Sequence, residues 1–207
     1  MNVATLIQQL DSLRTHAEEE FAKAAMPDAV EALRVSYLGK KSQITHAMKL
    51  LAELSAKTFY ETFASFNTEE DIKSYIGENF NTGQVTVELQ EPGTTFLLAQ
   101  QDGSVVGYAK LKKREQPEDL SEENTIEIER LYSSKEYLGK GVGQRLMEAC
   151  LTLAAQRGYK VIWLGVWEYN PRAISFYKKW GFVQFGSHPF VLGKDVQTDL
   201  LMKKNLY

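Results

Sequence analysis

Three glycines at alternate positions, Gly139, Gly141 and Gly143, run straight into a stretch where Leu146, Met147, Cys150, Leu151, Leu153 and Ala154 recur at helical spacing. A strand-like IEIERLY precedes this turn, and a second strand-like run, VIWLGVW, follows the helix. A glycine turn between strand and helix leaves the first N–H groups of the helix free, and its positive dipole end then faces outward. Without a Cβ the backbone can come close to phosphate oxygens, so the turn predicts an anion cradle. A P-loop would need Lys and then Ser or Thr after its last glycine, but Gln144 and Arg145 stand there. The dinucleotide fingerprint needs G-x-G-x-x-G, and that order is also missing.

At 207 residues, 43% hydrophobic and 25% charged, the chain can bury one sizeable core with room for a small extra element. No apolar run approaches the roughly 18 residues of a membrane span, and the first residues lack a secretory pattern, which points to a soluble protein of the cytoplasm. The single Cys150 excludes an intrachain disulfide, and with His16, His46 and His188 scattered, no metal site is expected. Cys150 falls on the apolar face of its helix, as a structural thiol would. A net charge of −3 argues against a general nucleic-acid binder and is compatible with a cationic substrate.

Patterning predicts helices over 50–65, 69–79 and 82–89, then strands over 95–100, 105–111 and 125–133, the first two joined as a hairpin at Gln101-Asp102-Gly103-Ser104. After the helix at 141–157 come a strand at 159–166, a helix at 171–180, and closing strands near 183–191 and 198–204. The expected fold is α/β, a mixed central sheet flanked by helices. Ahead of it, Leu6, Leu10, Leu13, Ala17 and Phe21 and a break at Met26-Pro27-Asp28 suggest an N-terminal helical hairpin.

The glycine turn, with Asn170, Ala173, Phe176, Tyr177, Gly181 and Phe182 downstream, resembles the GNAT N-acetyltransferase superfamily. That family holds a pyrophosphate on Q/R-x-x-G-x-G/A. Gly141 and Gly143 match the glycines, and Leu138 stands where Gln or Arg is usual. IEIERLY, WLGVWEYNPRAISFYKKWGFVQFGSHPF and QTDLLMKK are similar to PaiA-type spermidine/spermine acetyltransferases. The resemblance implies a domain over 50–207 that uses acetyl-CoA as cosubstrate and acetylates a small primary amine such as a polyamine. It implies coenzyme contacts from Leu131, Tyr132 and Ser133, from Gly139, Lys140, Gly141, Val142, Gly143, Gln144 and Arg145, and from Asn170 and Ala173, with Lys178 a further cation for the phosphates. Tyr177 matches the family tyrosine that protonates the departing thiolate.

Amine attack also needs a proton acceptor. Glu127 and Glu129 share one facing of their strand, and Glu129, immediately before Arg130-Leu131-Tyr132, is the preferred base. Trp163 is expected in the core, Trp167 near the substrate as an aromatic wall, and His188 as a substrate contact. Glu61, Glu69, Glu70, Asp71 and Glu168 are further sources of acidity.

VEALRVSYLGKKSQITHAMKLLAEL resembles the N-terminal helical arm of bacterial phenylalanyl-tRNA synthetase alpha subunits, so residues 1–49 are expected to form a helical arm. None of the synthetase's catalytic motifs accompanies it, which excludes aminoacylation. Its basic residues are matched by acidic ones and leave no net basic field for tRNA. Two roles stay open: directing the enzyme to tRNA or the translation apparatus, and packing on the transferase or on a second copy in a homodimer. Two arrangements of the chain also stay open, an edge strand at 34–38 or an arm helix running straight into 50–63.

Overall fold

The computed structural model describes residues 43–207 apart from 116, 122, 123 and 194, together with Glu19, Glu20, Ala22, Lys23, Asp28, Ala29 and Ala32, all helical. The expected edge strand at 34–38 and the apolar stripe from Leu6 to Phe21 lie outside the described residues. Helix α1 (Gln43–Phe63) runs unbroken through the expected boundary at 49/50. It is followed by α2 (Glu69–Asn79), capped by the Thr68 side chain accepting from the Asp71 N–H, and by α3 (Thr82–Gln90), capped likewise by Asn81.

Strands β1 (Thr94–Gln101) and β2 (Ser104–Lys112) form an antiparallel hairpin whose Asp102-Gly103 turn has positive φ at both residues, 51° and 79°. Strand β3 (Thr125–Ser133) extends the meander. Helix α4 (Val142–Gln156) crosses over to β4 (Val161–Trp167), and α5 (Pro171–Lys179) leads to a final hairpin of β5 (Val183–Leu192) and β6 (Asp195–Asn205). The sheet order is β1-β2-β3-β4-β6-β5, mixed because β3 and β4 are parallel while the other neighbours are antiparallel. The strands and helices expected over 50–207 are present, most with ends displaced by one to three residues.

The sheet is covered on both faces. On one, α4 and α5 bury Leu146, Met147, Cys150 and Tyr177 against Leu97, Ala109, Ile126, Ile162 and Leu164. On the other, α1 and α3 lay Leu51, Leu54 and Val85 on Phe96, Leu98 and Tyr108, and α1 and α2 lay Phe59, Phe63 and Ile72 on Trp167 and Leu192. The α4 end docks tightly because β2 has a glycine beneath it. A Cβ at Gly107 would stand 2.7 Å from Val142 Cγ1 and 2.8 Å from the Tyr132 carbonyl.

Two irregularities open the centre. β3 and β4 pair only through Thr125, Ile126 and Glu127 opposite Val161, Ile162 and Trp163, although β3 continues to Ser133 and β4 to Trp167. Beyond Glu127 the two strands splay. Between β2 and β3 the register slips, with Lys110 opposite Arg130 but Leu111 opposite Ile128, so Glu129 is the extra residue of a β-bulge.

Candidate active site

The splay opens into a cleft of about 860 Å³. At one end is the glycine turn. Gly139 and Gly141 have φ of 78° and 84°, a region closed to most side chains, whereas Gly143 already lies inside α4. The first helical bond of α4 runs from the Arg145 N–H to the Gly141 carbonyl, and no side chain caps the helix. The N–H groups of Val142, Gly143 and Gln144 therefore lack helical acceptors. Along one side of the cleft the β3 edge from Ile128 to Ser133 carries no strand partner. On the facing side, Asn170 Oδ1 accepts from the Ala173 N–H and caps α5, and its amide nitrogen is left to donate to a ligand.

Most residues expected at the site meet there. Glu129, Leu131, Tyr132, Ser133, Gly139, Gly141, Gly143, Gln144, Trp167, Asn170, Ala173, Tyr177 and His188 all line the cleft. Lys140, Val142 and Arg145 are not among its lining residues, and the Val142 side chain is in the core. Lys140 Nζ sits 5.2 Å from the centre of the Tyr137 ring. Of the five acidic residues considered from sequence, only Glu61 lines the cleft, its Oε2 accepting from the Lys135 N–H. Trp163 is buried beneath Arg114, as a core residue.

The two strand carboxylates have different surroundings. Glu129 Oε1 accepts from Lys110 Nζ at 2.8 Å and lies 3.4 Å from the Arg130 guanidinium. Lys110, only 1% exposed, also lies 2.9 Å from Glu88, which holds Arg130 through two hydrogen bonds of 2.9 and 2.8 Å. Burial works against the Glu88 charge, but Arg130 and Lys110 outweigh it and hold the carboxyl below its usual range. Glu129 Oε1 is thus committed to a buried ion network, while its Oε2 has no hydrogen-bond partner among the described residues. Glu127, 5% exposed, has one ion-pair contact, Arg114 Nε at 2.8 Å from Oε2 but off the hydrogen-bond axis. Burial dominates and pushes its pKa up to about 7, with Arg114 opposing and Glu129 adding to the rise.

Across the cleft, His188 Nε2 stands 3.9 Å from Asp199 Oδ2, and both side chains approach the bare face of Gly165. Burial and Arg114 lower the His188 pKa, and burial raises Asp199 to about 6, so at neutral pH a neutral imidazole faces a largely ionised carboxylate. Tyr177 is buried between Phe176 and Phe182, and burial raises its phenol far above the ordinary value. Its hydroxyl makes no hydrogen bond among the described residues. The end of the cleft under α1 and α2 is aromatic. Phe59 stacks on Tyr75 at 4.6 Å, and Phe66 meets Trp167 edge-on at 4.8 Å with Phe63 behind. Glu127 as the freer carboxylate, Asp199, Arg114 and the rings that join Trp167 were not singled out by the sequence, because they converge from α1, α2, β3, β6 and the loops after α1 and β2.

The family model for the acetyltransferase (GNAT) family matches residues 50–182. The chain belongs to the GNAT acetyltransferase family. This GNAT enzyme is 37% identical over 153 residues to an uncharacterised N-acetyltransferase of Lactobacillus delbrueckii subsp. lactis, covering 74% of this chain and 88% of that one. It is 28% identical over 119 residues to human N-acetylaspartate synthetase, covering 56% of this chain and 37% of that protein. Among solved structures, PaiA N-acetyltransferase from Thermoplasma acidophilum in complex with coenzyme A superposes with a TM-score of 0.62 at 25% identity, over 77% of this chain and 93% of that one. A second model, for the N-terminal domain of class II aminoacyl-tRNA synthetases, matches only residues 25–58.

The GNAT enzyme is an acetyl-CoA-dependent N-acetyltransferase. The cleft suits that cosubstrate. The positive-φ glycines and uncapped α4 N-terminus form an anion cradle, and the unpaired β3 edge offers backbone groups to an extended arm. No described helix is long and apolar enough to cross a membrane, and the described residues contain no cluster of three or more metal-ligating side chains.

Proposed function

We propose that the acceptor is a primary amine carried on an apolar chain, of the polyamine class, and that Glu127 takes its proton. The observation that carries this reading is a buried carboxylate with a pKa raised to about 7, in a cleft whose far wall is aromatic. A base with a pKa near the working pH combines availability with driving force. The Trp167 and Phe66 rings suit an alkyl ammonium chain, and Glu61 and Asp199 add negative charge to the same cleft. The sequence likeness to PaiA-type spermidine/spermine acetyltransferases supports the same class.

Acetyl-CoA brings its acyl group as a thioester already activated for attack. On the donor side, Gly139, Gly141, Gly143 and Gln144 hold the pyrophosphate. Leu131, Tyr132 and Ser133 receive the pantetheine arm along the β3 edge, and the Asn170 amide and Ala173 flank it. Tyr177, kept protonated by burial, supplies the proton for the departing sulfur. Glu129 is assigned a structural part, fixing Lys110 and Arg130, in place of the base role expected from sequence. His188 lines the acceptor side with Asp199.

Steady-state assays with acetyl-CoA and spermidine, spermine, aspartate or an aminoglycoside test the reading. Spermidine or spermine should be turned over with the highest kcat/KM, and preferential turnover of aspartate or the aminoglycoside would overturn the polyamine assignment. Glu127→Gln should lower kcat about a hundredfold or more.

A second reading rests on the synthetase-like match over 25–58, in which residues 1–49 form an arm that directs the transferase domain, 50–207, to tRNA. A gel shift of the full chain with tRNA at low salt should then show a complex, and its absence disposes of this reading.

A further inference from the structure

Arg114 lies two residues beyond the end of β2 and reaches back over the end of the β3–β4 seam. Its guanidinium carbon lies 5.7 Å from the centre of the Trp163 ring, and Nε lies 2.8 Å from Glu127 Oε2. The side chain is 42% exposed, so the fold does not depend on burying it. It also lies at a boundary. Beside the main cleft is a second cavity of about 700 Å³, lined by Glu115, Glu118 and Asp119 from the same loop and by Trp163, and Arg114 and His188 are common to both. Arg114 therefore borders both the cleft that holds Glu127 and a cavity that carries three carboxylates.

We propose that Arg114 is the positioning residue for the catalytic base: by direct charge contact it holds the Glu127 carboxylate at the cleft and favours its ionised form. The proposal rests on the assignment of Glu127 as base. Other charged groups near Glu127 are Lys110 and Lys112 of β2 and Glu129 of β3, with His188 of β5 and Asp199 of β6 lining the same cleft. Lys110 and Lys112 are already paired with Glu129 and Glu91, at 2.8 and 2.6 Å, which leaves Arg114 as the cation in direct contact with Glu127.

The test is the pH dependence of kcat/KM for spermidine. Spermidine enters as its ammonium and gives its proton to ionised Glu127, so log kcat/KM for wild type should rise with a slope of one below the pKa of the base and level off at a break near pH 7. Removing a cation in contact raises a carboxyl pKa, so in Arg114→Gln the break should move up by about one pH unit or more. In Arg114→Lys, which keeps the charge, it should return most of the way to the wild-type position. KM for acetyl-CoA should be unchanged in both variants. A uniform loss of rate in Arg114→Gln with the break unmoved would overturn the positioning role. A wild-type profile without any break, with Glu127→Gln still fully active, would instead remove the base assignment and the proposal with it.

Discussion

Glu127 is a costly residue to keep. Its carboxyl titrates at about 7 in the folded chain against an ordinary 4.5, so the unfolded chain loses the proton first. Below pH 4.5 both states hold it and nothing is lost. Between 4.5 and 7 the unfolded state gains progressively, and above 7 the penalty is complete, up to about 3 kcal/mol. Glu127→Gln should therefore be more stable than wild type in urea at pH 8 and indistinguishable from it near pH 4.5, although it is the poorer catalyst. Equal midpoints at pH 8 would mean that the folded protein does not hold the carboxyl in the state described. Tyr177 is subject to a different test. Tyr177→Phe keeps the ring contacts with Phe176 and Phe182 and loses only the hydroxyl, so kcat should fall with little change in KM for acetyl-CoA.

Among the elements, the turn into α4 is local chemistry and could be read from the chain: glycines where φ is positive, then an apolar stripe. Gly141→Ala forces a Cβ into φ 84° at a cost of about 1–2 kcal/mol, and KM for acetyl-CoA should rise roughly tenfold as the cradle shifts. The bulge in β3 was not legible. It exists only in the pairing of β2 with β3, and the Glu88–Arg130 link joins residues 42 apart in sequence. Sequence placed Glu127 and Glu129 on the same strand facing, and both do line the cleft, but which of them is tied up by Lys110 depends on α3 packing against the sheet. The aromatic wall was likewise hidden, its rings coming from α1, α2 and β4, with only Trp167 anticipated. Glu88→Ala would leave Lys110, nearly inaccessible to solvent, and Arg130 each short of a counter-charge. A loss of about 3–5 kcal/mol in urea denaturation is expected.

For the whole molecule, the layout divides labour between the two ends of one cleft, and every described residue that lines it is at position 58 or beyond. A chain lacking residues 1–42 should accordingly retain acetyl transfer to spermidine with kcat/KM within a few-fold of the full chain. A collapse of activity would give the N-terminal segment a direct part in the site. The three-pair seam between β3 and β4 has a further consequence. β1-β2-β3 and β4-β6-β5 are each well-laced antiparallel units, stitched together by very little backbone. Until the cosubstrate arrives the sheet is a garment left open at the front, and the outward amides of Ile128–Ser133 are free to trade their hydrogens with water. In deuterated buffer, coenzyme A should slow exchange along that stretch and leave the β1–β2 hairpin unchanged, so that loading of the enzyme becomes visible as the closing of a single seam.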